Sequence, residues 1–112
     1  MLRSLARLVR AAGFIAETFE SPGALLRSDI PKAEACLIVD VNLPEMNGIE
    51  LCHALSTLGC RLPAILITGR TDQKTNRLLH QATAVAILHK PFPAALLFEA
   101  ISAALSRSSV GD

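Results

Sequence analysis

The stretch Ala35-Cys36-Leu37-Ile38-Val39-Asp40-Val41-Asn42-Leu43-Pro44-Glu45-Met46-Asn47-Gly48 decides how this chain folds. Cys36 to Val39 form an unbroken apolar run that ends in one carboxylate. The run is too short for an ordinary helix and suits a strand buried on both faces, as in a parallel sheet. Pro44 and Asn47-Gly48 mark a loop, and an apolar-periodic segment follows. Asp40 is therefore expected at the C-terminal end of a central strand, where open α/β sheets build their sites.

Outward from that stretch, strand and helix signals alternate. Residues 2–12 read as an amphipathic helix, with Leu2, Leu5, Leu8, Val9 and Ala12 at helical spacing and Gly13 as its stop. Phe14 to Glu20 reads as a short edge strand. Ser21-Pro22 starts a helix that reaches about Ser28, since a hydroxyl cap is followed by Pro at the first helical position. After the 36–40 strand come a helix from Ile49 to about Leu58, a buried run at Ala64–Ile67 ending in Thr68-Gly69, and a weak helix over 72–82. A third buried run, Val85–Leu88, ends at His89-Lys90-Pro91-Phe92. Pro93 opens a last helix with Leu97, Ile101 and Leu105 on one face. One domain over 1–106 and a flexible polar tail over 107–112 are expected.

Composition narrows the classes. The chain has 112 residues, 51% of them hydrophobic, and a net charge of +1, so nothing in its overall charge suggests nucleic acid. Arg3, Arg7 and Arg10 read as the solvated face of the first helix. No apolar run approaches the roughly 18 residues of a membrane span. Cys36, Cys52 and Cys60 lack metal-ligand spacing, and their odd number points to reduced thiols in a cytoplasmic protein.

Alternating elements imply a three-layer α/β fold: a parallel sheet with right-handed crossovers and helices on both faces. Three successive strands then deliver Asp40, Thr68 and Lys90 to one edge of the sheet. Each residue alone has an ordinary structural explanation as a cap, a turn or an exposed charge. An acid, a hydroxyl and an amine together at adjacent strand ends point to a site.

Four motifs at matching spacing carry a resemblance: Arg-Ala-Ala-Gly-Phe at 10–14, Asp-Val-Asn-Leu-Pro-Glu-Met-Asn-Gly at 40–48, Leu-Pro-Ala-Ile-Leu-Ile-Thr-Gly at 62–69 and Lys-Pro-Phe at 90–92. Residues 1 to about 106 resemble a receiver domain of two-component response regulators, of the type in nitrogen-fixation and nodulation regulators, with a flavodoxin-like fold. The resemblance implies that Asp40 is the phosphoacceptor, that Thr68 and Lys90 contact the phosphoryl group, and that a histidine kinase or another signalling protein is the partner. It also implies a cis Lys90–Pro91 bond. Mg²⁺ would be held by Asp40 and the main-chain carbonyl of Asn42, and Ile87 stands at the switch position where the family usually has an aromatic.

The sequence departs from that family at its start. Members begin with a strand ending in two acids that hold the metal, whereas no acid here precedes Glu17. The expectation is a fold whose first central strand is missing, with Mg²⁺ binding weak or absent and phosphorylation of Asp40 impaired. Glu45 is not taken as a replacement ligand, and Thr83 replaces a usual Gly. Without that strand, 14–20 must pair directly with 36–40 or leave an edge exposed, and a homodimer or swapped oligomer is expected to cover it. A miscalled start, with the strand encoded upstream, would make this an ordinary phosphorylatable receiver. A phosphoryl-transfer hydrolase is the less favoured alternative, because Asn42 stands where such an enzyme needs a general acid/base carboxylate. The protein is read as a signalling module, not an enzyme.

Overall fold

The structure, a computed structural model, describes residues 2–30, 34–41, 48–59, 62–69 and 86–110. Their elements are α1 (Leu2–Ala11), α2 (Pro22–Leu26), β1 (Leu37–Asp40), α3 (Gly48–Thr57), β2 (Ala64–Thr68), β3 (Ala86–His89) and α4 (Ala94–Val110). The strands pair in parallel in the order β1-β2-β3, with Val39 opposite Leu66 and Ile67 opposite Leu88. Parallel neighbours need crossovers, and α3 supplies the one between β1 and β2.

The two-residue period of a strand explains why β2 is buried throughout. Ile65 and Ile67 face one way, into a core with Val9 of α1 and Leu97, Ile101 and Ala104 of α4. Leu66 faces the other way, with Val39 and Val41 of the β1 end, Leu25 of α2 and Leu51 and Leu55 of α3. The expected three layers are thus present. Each large aliphatic side chain buried there contributes on the order of 1.5–3 kcal/mol.

The helix ends follow their sequence signals. Gly13, at φ 98°, closes α1 with a paired motif: its N–H donates to the Arg10 carbonyl while the Phe14 N–H donates to the Val9 carbonyl. Ser21 caps α2, its hydroxyl accepting from the Ala24 N–H at 3.1 Å, with Pro22 in the first turn.

Two expectations are corrected. Residues 14–19 are not a strand. They run beside β1 without pairing to it, and a strand exists only through its ladder partner, whatever its own propensity. Arg10 instead holds this segment, its guanidinium donating to the Ala16 carbonyl at 2.8 Å. The last helix also continues past residue 106 to Val110, because no breaker occurs before Gly111 and adding a residue to a formed helix is easy. The weak helix over 72–82, Thr83, Cys60, and the Asn42–Asn47 part of the loop lie outside the described residues.

Candidate functional site

The site is built at the C-terminal edge of the sheet. Asp40 is the last residue of β1, Thr68 the last of β2, and Lys90 follows the last residue of β3. Parallel pairing puts these ends on one side of the molecule, with Asp40 opposite Ile67 and Thr68 opposite His89. The backbone binds them further: the Lys90 N–H donates to the Thr68 carbonyl at 2.8 Å, and the Val41 N–H to the Ile67 carbonyl at 2.9 Å.

Lys90 and Asp40 meet directly. Nζ of Lys90 lies 3.2 Å from Oδ2 of Asp40, in an ion pair whose side chains are one-third and one-quarter exposed. Charge and access therefore coincide there: the pair is reachable from solvent while held on a rigid sheet edge. Thr68 sits on the strand between them and is fully buried. The structure thus joins Asp40 and Lys90 and places Thr68 beneath them. The Lys90–Pro91 peptide bond is cis, as expected.

Two glycines shape the site, although their sequence context indicates only loop roles. An added Cβ on Gly48 would lie 2.9 Å from the Asp40 carbonyl oxygen and 2.9 Å from Cγ1 of Val39, both parts of β1. The Gly48 N–H also donates to the Val41 carbonyl at 2.9 Å, so α3 begins packed against the end of β1. At Gly69 an added Cβ would stand 3.7 Å from Cδ of Lys90, so the lysine stem passes over the end of β2 on its way to Asp40. No signal in a single sequence distinguishes such packing glycines from turn glycines.

Ile87 is apart from the pair: it lies opposite Leu66 in the sheet and is 37% exposed. Asn42 and Glu45 lie outside the described residues. No group of three or more His, Cys, Asp or Glu side chains able to hold a metal occurs among the described residues. Asp40 places a carboxylate at the described site that could supply an oxygen ligand to Mg²⁺.

The sheet, its covering helices and the polar edge define a doubly wound α/β domain with its site where the strands end. The model of the response regulator receiver domain matches residues 1–102, and the chain belongs to that family. It is 36% identical over 107 residues to nodulation protein W of Bradyrhizobium diazoefficiens, covering 96% of this chain and 47% of the relative. Response regulator protein TodT of Pseudomonas putida is 38% identical over 105 residues, covering 94% and 46%. The transcriptional regulatory protein FixJ of Azorhizobium caulinodans is 31% identical over 106 residues, covering 95% and 50%. The chain thus spans about half the length of the curated relatives it matches. Among solved structures, response regulator StyR superposes with a TM-score of 0.86 at 32% identity, covering 97% of this chain and 55% of that one. The FixJ-N crystal structure gives 0.81 at 32%, covering 93% and 83%. Receiver domains are phosphorelay signalling modules that work with histidine kinases and typically bind Mg²⁺ at the phosphorylation site.

Proposed function

We propose that Asp40 is the phosphoacceptor of this receiver domain and that residues 1–112 accept phosphate poorly by themselves. The Lys90–Asp40 contact of 3.2 Å carries the reading, since it puts a cation beside a partly exposed carboxylate at the sheet edge. In the transfer, an Asp40 oxygen forms the new P–O bond. The P–N bond to a kinase phosphohistidine breaks, and the leaving imidazole nitrogen keeps the electron pair and is protonated. Negative charge on the transferring oxygens is met by the Lys90 ammonium, acting as a point charge. Thr68, buried at the end of β2 between β1 and β3, would supply a hydroxyl to the phosphoryl group.

Mg²⁺ supplies the remaining charge neutralisation when bound. Asp40 and the Asn42 main-chain carbonyl would hold it, and a site with a single carboxylate binds weakly. No acid precedes Glu17, which supports weak Mg²⁺ binding by residues 1–112 alone. Relatives named as response regulators and transcriptional regulators, rather than hydrolases, favour signalling through a protein partner over phosphatase turnover.

Incubation with acetyl phosphate and Mg²⁺, read by intact mass, tests both parts. A slow, substoichiometric adduct that disappears in Asp40→Asn is the expected result. A stoichiometric adduct on Asp40 overturns the impairment but keeps the assignment. An adduct that persists in Asp40→Asn overturns the assignment.

A further inference from the structure

The peptide that follows Asp40 is gripped from two sides. On one side the Val41 N–H donates to the Ile67 carbonyl of β2 at 2.9 Å. A trans peptide is planar and points its N–H and C=O in opposite directions, so the Asp40 carbonyl is turned away from β2. Gly48, the first residue of α3, stands there: an added Cβ would lie 2.9 Å from the Asp40 carbonyl oxygen. The Gly48 N–H also holds the next carbonyl, that of Val41, at 2.9 Å. Two successive peptide units beyond the Asp40 Cα are therefore fixed, and Val41 between them is fully buried.

The ion pair cannot supply that grip. Lys90 meets Oδ2 of Asp40 at 3.2 Å from the end of a flexible four-carbon stem, and its ammonium is a point charge that follows the carboxylate instead of fixing it. The aspartate side chain is short, so its carboxylate goes where the backbone aims it. A methyl at position 48 would disturb that aim from both sides. Besides the Asp40 oxygen it would meet Cγ1 of Val39 at 2.9 Å and the Cα of Val41 at 3.2 Å, and these two residues flank Asp40.

We propose that Gly48 is a positioning residue for phosphate transfer to Asp40. Its bare Cα lets α3 start against the Asp40–Val41 backbone and keeps the carboxylate aimed at Lys90. The inference rests on Asp40 as the phosphoacceptor. A glycine needed for packing alone would change stability without changing the chemistry of the folded chain.

The test compares Gly48→Ala, Lys90→Met and the two together, under conditions where each variant is folded. NMR reads the carboxyl carbon of Asp40, and intact mass reads the rate of adduct formation with acetyl phosphate and Mg²⁺. Lys90→Met should move the Asp40 signal in the unaltered chain and move it far less in the Gly48→Ala background. Adduct formation in Gly48→Ala should slow about tenfold, since misplacing a reacting group by about 1 Å costs on the order of 100-fold. Adding Lys90→Met should slow it little further. Ile101→Val loosens the core on the other face of the sheet and should keep the unaltered rate. Val39→Ala/Gly48→Ala serves if the single variant fails to fold: it trades one side-chain volume for the other and leaves the new methyl against the Asp40 carbonyl. It should fold and still be phosphorylated slowly compared with Val39→Ala. An unaltered rate in folded Gly48→Ala, with the adduct on Asp40, overturns this inference alone. So does a rate in Val39→Ala/Gly48→Ala equal to that of Val39→Ala, or an Asp40 signal that answers Lys90→Met equally in both backgrounds. An adduct that persists in Asp40→Asn overturns the acceptor assignment and this inference with it.

Discussion

Lys90 reaches Asp40 across an entire strand: the two residues belong to the ends of β3 and β1, and β2 lies between them. The lysine stem passes over Gly69, the residue after the end of β2. An ion pair built this way depends on three strands ending in register. Its partners are partly exposed, so its value lies in charge placement more than in stability.

Lys90→Met should therefore leave folding nearly intact and affect phosphoryl chemistry. Removing a partly exposed ion pair costs about 0–1 kcal/mol, which urea denaturation would read as a small change in midpoint at unchanged slope. The adduct formed with acetyl phosphate should fall below the wild-type level, because Asp40 loses its Lys90 cation. An adduct formed as fast as in the wild type would remove Lys90 from the site.

Gly48→Ala and Gly69→Ala should differ in stability, although both glycines border the site. At Gly48 the new methyl meets β1 atoms at 2.9 Å, including the Asp40 carbonyl oxygen, and α3 must shift away. Overpacking of that kind costs about 1–3 kcal/mol. At Gly69 the nearest atom, 3.7 Å away, is in ordinary contact and belongs to a flexible lysine stem. That variant should stay within about 0.5 kcal/mol, the usual range of substitutions that touch nothing rigid. Urea denaturation of both variants gives the comparison.

Cys36 should make the protein sensitive to alkali. Burial raises the pKa of its thiol, because the surrounding apolar side chains disfavour the thiolate. The folded state then holds this proton more tightly than the unfolded state does. The resulting stability is fully present below the ordinary thiol pKa of about 8.5 and is lost as pH rises through the folded value. Denaturation midpoints should fall above that pH, and Cys36→Ala should flatten the decline. Alkylation of Cys36 by iodoacetamide at neutral pH should also be slower in the native protein than in urea.

Local pattern made much of the fold legible. Cys36–Val39 and Ala64–Ile67 are short, unbroken and apolar, and they became β1 and the fully buried β2. Ser21-Pro22 and Gly13 set helix ends through bonds within a few residues, so sequence alone could place them. The 14–20 segment misled because its β-forming residues have no ladder partner among the described residues, and pairing depends on another part of the chain. The extra turn of the last helix was missed because apolar periodicity stops before helical hydrogen bonding does.

For the site, the sequence determined which groups exist and that three buried strands would carry Asp40, Thr68 and Lys90 to the same edge. Strand direction and length are local properties, and they suffice for that. Tertiary structure decided the rest: that Lys90 touches Asp40 while Thr68 lies buried, and that Gly48 must lack a side chain. Those outcomes depend on distances between segments far apart in the chain, which packing sets and no local pattern encodes.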